Sequence, residues 1–261
     1  MARDIWGNVS LEDGKVHYFA MGELHCWMKY HHEEIWIAHC HNHDVKQKPN
    51  SEAPPEEIEW QRWATQNGKG HVNISPVFPD LPLVVNSEYA LKISPGTRIQ
   101  IFCRFPIWVR IRVSESTYTL IEMPTIKLSR TWFGTPTEGE LCYYATTKAR
   151  RDLSNVDKRP NMVACPIRVV NKSGDELSFE HFCFRVERLS MYRNGEGFWA
   201  DETQIIYQGE DLNSDVIMTG NLPKGITKKD LVSRPRKEIH KSLATRTFKR
   251  FFEDTSLIFG R

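Results

Sequence analysis

The residue pattern predicts an all-β protein: antiparallel sheets, sandwich-like or barrel-like, with one amphipathic helix near the C-terminus. Three observations carry that expectation. Ile99, Ile101, Cys103, Phe105, Ile107, Val109, Ile111 and Val113 are apolar at every second position, the repeat of extended chain and not of a helix. Val163, Cys165, Ile167 and Val169 repeat the alternation. Many further short runs of this kind are separated by turn residues, the spacing of a sandwich or barrel.

The elements follow in order. Residues 16–20, 24–30 and 34–41 read as the first strands, and 89–93 as the next. Ser94-Pro-Gly is a turn before the long alternating run, and Pro106 divides that run into two strands. Residues 118–122 and 141–146 follow as strands, and then the 163–169 run reaches the turn signal Asn171-Lys-Ser-Gly174, which reads as a hairpin. Beyond it Leu177 and Phe179 are odd, whereas Phe182, Phe184 and Val186 are even. The buried face therefore changes parity near Glu180 and His181, as a bulge requires. Residues 204–208 and 216–219 complete the strands. A helix is expected from near Ser233, with Pro235 in its first turn and Ile239, Leu243, Thr247 and Phe251 at spacing four, then a last strand at 256–259.

A chain of 261 residues suffices for one large or two small cores. The expected division is an all-β body at 1–223, of which 1–46 is either a His-rich subdomain or the first hairpins, and a basic segment at 224–261. With 40% apolar and 26% charged residues, the composition is that of a folded chain. Apolar runs stay far below the roughly 20 residues of a membrane helix. The opening Met1-Ala-Arg-Asp-Ile-Trp-Gly has charge where a signal peptide is apolar. Cys26, Cys40, Cys103, Cys142, Cys165 and Cys183 lack CxxC spacing and read as reduced, buried thiols. A soluble, cytoplasmic protein is expected.

Several stretches carry a family resemblance: Val72-Asn-Ile-Ser-Pro-Val-Phe-Pro79, Ser94-Pro-Gly-Thr, Phe105-Pro-Ile, and Trp132-Phe-Gly-Thr-Pro-Thr-Glu-Gly-Glu-Leu-Cys-Tyr143. Over residues 70–220 the chain resembles the prokaryotic family known as domain of unknown function 432, and Leu257-Ile-Phe-Gly260 is similar to that family's closing strand. The resemblance implies an all-β fold with no assigned activity and no catalytic residues to carry over. It also implies a membrane-channel partner, since members are often encoded beside small mechanosensitive channels. The His-rich N-terminal part and the basic tail depart from the pattern.

Three constellations are candidates for function. Eight of the ten histidines precede residue 72, and His39, His41 and His43, on one strand face, would stand roughly 7 Å apart, within reach of a shared zinc ion. Cys40 or Asp44 could add a ligand, and the same residues are read equally as a solvated strand end. Opposite the apolar row lie Arg98, Gln100, Phe102, Arg104, Trp108, Arg110 and Arg112, either a solvated face or one that binds an anionic partner such as single-stranded nucleic acid.

In the tail, eleven Lys and Arg face four acids, a balance of +7. This leaves the body 24 basic against 29 acidic residues, or −5. Lys237, Lys241, Arg246, Lys249 and Arg250 are the anionic-partner candidates there. No GxxxxGK[ST], GxSxG or HExxH pattern is present, and the adjacent acids Asp201 and Glu202 point to opposite faces of a strand and form no dyad by spacing. The expectation is a non-enzymatic binding or adaptor protein with a protein partner. The alternatives are a metal-binding protein or hydrolase at His39–His43, and a nucleic-acid binder.

Overall fold

The computed structural model describes residues 4–46, 48–65, 70–147, 149–152, 159–209, 214–237 and 243–245. Their regular secondary structure is almost wholly strand. The chain runs through β1 (Gly7–Ser10), β2 (His17–Met21), β3 (Leu24–His31), β4 (Glu34–His41), β5 (Gln61–Ala64), β6 (His71–Val77) and β7 (Leu83–Ile93). β8 (Arg98–Pro106), β9 (Trp108–Val113), β10 (Thr119–Pro124), β11 (Arg130–Gly134), β12 (Gly139–Thr147) and β13 (Met162–Asn171) follow. The remainder is β14 (Leu177–Phe184), β15 (Met191–Asn194), β16 (Gly197–Ala200), β17 (Thr203–Tyr207), β18 (Ser214–Met218), β19 (Leu231–Ser233) and β20 (Leu243–Thr245). Two single-turn 3-10 helices, Val186–Arg188 and Lys228–Asp230, interrupt them. Among the described residues no helix is long and apolar enough to cross a membrane.

The chain divides into two compact units. The first is drawn from Met1–Val77, Pro106–Lys127 and Arg159–Asn161, and the second from Phe78–Phe105, Leu128–Lys158 and Met162–Arg261.

The first unit is a sandwich of two antiparallel sheets, ordered β1-β6-β9-β10 and β2-β3-β4-β5. Alternation decides the packing. Phe19, Cys26, Met28, Ile35 and Ile37 from one sheet meet Val72, Ile74, Val109, Ile111 and Met123 from the other in a single core. The second face of β3 and β4 is also apolar, and Val45, Ile58 and Trp60 of the following loop cover Trp27, Ala38 and Cys40. Farther along that face Lys29 lies 4.5 Å from the Trp36 ring and 4.6 Å from Trp60, a cation between two indoles.

The second unit holds a sheet ordered β11-β12-β7-β14 and an eight-stranded sheet ordered β19-β15-β16-β13-β17-β18-β20, with β8 also on β13. Parallel pairs enter here, β12 with β7 and β13 with both β16 and β17, a refinement of the antiparallel expectation. The ladder of β14 on β7 shifts register between Phe179 and His181, where the parity of buried residues changes. The extra residues lie on β7 between Asn86 and Leu91.

Two expectations need correction. β13 and β14 form no hairpin: the Asn171 turn carries the chain from one sheet to another, and the Asn171 amide ties it down by donating to the Ile93 and Asp175 carbonyls. The C-terminal helix is not seen either, since Leu231–Ser233 pairs with β15 and Leu243–Thr245 with β18 as strands. Residues 238–242 and 246–261, with the expected strand at 256–259, lie outside the described residues.

The Trp132 stretch is a clamped hairpin. Gly134 pairs with Gly139 across β11 and β12, and Trp132 Nε1–H donates to the Thr135 carbonyl at 2.8 Å. A Cβ on Gly139 would stand 2.4 Å from the indole nitrogen. Gly134 has φ +125°, and its Cβ would meet the Glu138 carbonyl oxygen at 2.4 Å. Gly134→Ala is therefore expected to cost about 2 kcal/mol or more in urea denaturation. Gly174→Ala, where nothing lies within 4 Å, should be close to neutral.

Candidate functional site: a cleft around Glu202

The site begins with a mismatch in strand length. β13 pairs Ala164 with Trp199 and Ile167 with Thr203. Cys165 and Pro166 thus oppose Ala200, Asp201 and Glu202, one residue too many, which makes a bulge between β16 and β17. Pro166 has no N–H to give a ladder at this point. Asp201 and Glu202, both buried, occupy the bulge and turn to separate partners.

Asp201 Oδ1 accepts the Ser190 N–H at 2.9 Å. Burial, opposed by that bond, pushes its carboxyl up to about 6.

Glu202 lines a cleft of about 540 Å³ with Gln100, Phe102, Pro166, Arg168, Trp199 and the segment 221–224. The 219–221 segment is fastened to it by backbone bonds, Glu202 N–H to the Asn221 carbonyl and Thr219 N–H to the Glu202 carbonyl. Three side chains donate to the carboxylate, and a fourth shares its single proton with it. Oε2 accepts Arg168 at 2.8 Å and Gln100 at 3.4 Å; Oε1 accepts Asn221 at 3.2 Å, and the one Thr219 hydroxyl proton is shared between Oε1 at 3.2 Å and the Glu202 carbonyl at 3.1 Å. Glu202 therefore positions its neighbours, which take up most of its lone pairs.

What the cleft offers is the remaining donors and its walls. Arg168 spends one of its five N–H groups on Glu202. Trp199 Nε1 is buried with no hydrogen-bond partner among the described residues. Lys224 sits at the corner of a turn closed by Ile226 N–H to the Pro223 carbonyl at 3.1 Å, with Gly225 at φ +85° as a type II turn requires. Phe102, Pro166, Trp199, Leu222 and Pro223 supply apolar surface.

The residues expected from sequence are placed differently. β4 ends at His41, and a turn closed by Asp44 N–H to the His41 carbonyl takes His43 off the strand, so the three histidines do not share a strand face. His41 is 1% exposed and its Nε2–H donates to the Pro124 carbonyl at 2.7 Å, which makes it a buried cross-link and not a solvated end. Burial lowers the pKa of His39 and of His41. Asp44 is held at about 2: burial would raise it, but the Lys127 ammonium and the His41 N–H outweigh that. Cys40 lies in the cluster on the opposite face. Among the described residues no group of three His, Cys, Asp or Glu side chains is placed to hold a metal ion.

The arginine row is divided. Arg98, Gln100, Phe102 and Arg104 are on β8 in the second unit; Trp108, Arg110 and Arg112 are on β9 in the first. Arg110 is spent on Glu122 across β10 at 2.5 Å. In the tail, Lys237 Nζ is 3.6 Å from the buried Glu187, and the N–H groups of Arg236 and Lys237 both donate to the Glu187 carbonyl. Lys241, Arg246, Lys249 and Arg250 lie outside the described residues.

Sequence reasoning missed Arg168, Trp199, Glu202, Asn221 and Lys224. A signal was present. Phe198 and Ala200 are even and buried, while Thr203, Ile205 and Tyr207 are odd and buried, the same parity change that marked residue 180. With Pro166 inside a buried strand, it marks a bulge.

Comparisons with curated proteins and with solved structures return no match. A family model matches residues 5–253, nearly the whole chain, including the His-rich start and most of the basic tail; the chain belongs to the family described as Protein of unknown function (DUF432).

Proposed function

We propose that this protein is a non-enzymatic binding module that captures a small molecule in the Glu202 cleft of its second unit. One observation carries the reading: a buried carboxylate tied to side chains from three other segments holds a concave wall in place, while Arg168 and Lys224 keep donors free. Preorganised polar groups set among apolar walls are what small-molecule sites share. Within this reading, the membrane-channel partner implied by the family resemblance receives the ligand-bound state.

The test is a thermal-shift screen of the full chain against a panel of small metabolites, run beside Gln100→Trp. Gln100 is exposed at the cleft, so a tryptophan there fills space without emptying the core. At least one compound is expected to raise the midpoint by several degrees, as saturation near 100 times Kd would. Gln100→Trp should abolish the rise. A panel without any shift, or shifts equal in both proteins, would sink the proposal.

A further inference from the structure

We infer that the ligand is a mononucleotide: a flat ring against Trp199 and Phe102, with its phosphate on Arg168 and Lys224. The inference rests on the cleft being a binding site. It follows from what Glu202 leaves over. The carboxylate is internally satisfied and balanced by Arg168, so Lys224, which has no carboxylate partner among the described residues, gives the cleft a surplus positive charge. The free groups are also mostly donors: the remaining guanidinium N–H groups and the ammonium.

A ligand that meets both a guanidinium and an ammonium must present several acceptors and negative charge, and a phosphate does so with three oxygens where a carboxylate has two. Phe102 and Trp199 add π-faces suited to a base. The amides of Gln100 and Asn221 donate to Glu202, which leaves their carbonyl oxygens as acceptors for sugar hydroxyls. Lys224, at the corner of a glycine-containing turn, is held at the cleft by backbone geometry.

The experiment is isothermal titration of the full chain with adenosine and uridine monophosphates, the matching nucleosides, ribose phosphate, inorganic phosphate and an aromatic carboxylate. A monophosphate is expected to bind at least about tenfold tighter than its nucleoside and than ribose phosphate, with affinity falling as salt rises. Lys224→Gln, a change on an exposed turn, should weaken the monophosphate about tenfold and leave the nucleoside unchanged. Trp199→Leu removes the stacking ring and should weaken monophosphate and nucleoside alike by several fold.

Equal binding of nucleoside and monophosphate would overturn the phosphate assignment, as would an aromatic carboxylate that binds equally well. If inorganic phosphate binds as tightly as the nucleotide, the ring assignment fails. If none of these binds while another compound gives a shift sensitive to Gln100→Trp, the nucleotide is wrong and the binding module stands. If no compound gives such a shift, both fail.

Discussion

Glu202→Ala is expected to destabilise the second unit by about 2–3 kcal/mol and to abolish ligand binding at the cleft. Breaking a buried ion pair by removing one partner costs about 3–5 kcal/mol when the other stays buried and charged. The figure is reduced here because the Arg168 side chain is 34% exposed and can recover water, whereas that of Glu202 is 6% exposed. Gln100, Thr219 and Asn221 lose their acceptor at the same time. The control is Glu202→Gln, which keeps an oxygen for Gln100, Thr219 and Asn221 and carries no charge, and should lose less than Glu202→Ala in urea denaturation. A Glu202→Ala variant as stable as the parent would show that the carboxylate does not organise the cleft.

Stability should respond to pH in opposite directions at two places. Asp201 titrates near 6 when folded and near 3.8 when unfolded, so the folded state holds the proton more tightly. Its contribution is complete below about 3.8 and is lost as pH rises through 6, by up to about 3 kcal/mol at 1.36 kcal/mol per unit. Asp201→Asn keeps an oxygen for the Ser190 N–H and carries no charge. It should therefore stabilise the protein by about 2–3 kcal/mol at neutral pH and by no more than about 1 kcal/mol at pH ~4.5. An equal increment at both values would assign the effect to packing instead.

In the first unit the sign reverses. His39 and His41 are harder to protonate folded than unfolded, so the stability they permit is present above about 6.5, the ordinary value, and is lost as pH falls below it. Asp44, held at about 2, adds a second loss as pH drops from 3.8 towards 2. The profile measured on Asp201→Asn should then keep its acid limb and lose its neutral one.

The relation between sequence and structure differs from element to element. Alternation at Ile99 to Val113 placed β8 and β9 and their break at Pro106, because the period of two is a property of a few consecutive residues and the face they bury. The change of parity near His181 was readable for the same reason. The equivalent change around Asp201 was written just as plainly, next to acids that spacing alone dismissed as a pair. The C-terminal segment misled: apolar residues at spacing four around Leu243 fit a helix, but pairing with β18 makes Leu243–Thr245 a strand. The Asn42-His43-Asp44 turn was likewise within reach of turn chemistry, since an Asp carboxylate that accepts the His41 N–H is a local bond.

By itself, the sequence determined the all-β class, most strand positions, the reduced buried cysteines and the kinship carried by the Trp132 hairpin. All of these rest on interactions between residues close along the chain. Only the tertiary structure decided which strands pair: β8 joins β13 while β9 joins β6 and β10, which divides the arginine row, and β13 takes parallel partners in place of the hairpin expected at Asn171. Strand pairing is a contest among distant segments, settled by the sum of burial and hydrogen bonding over the whole fold, and no local window contains its outcome. The cleft depends on that contest entirely. Gln100, Arg168 and Asn221 come from separate segments and meet because one extra residue at Asp201–Glu202 turns a buried carboxylate towards them.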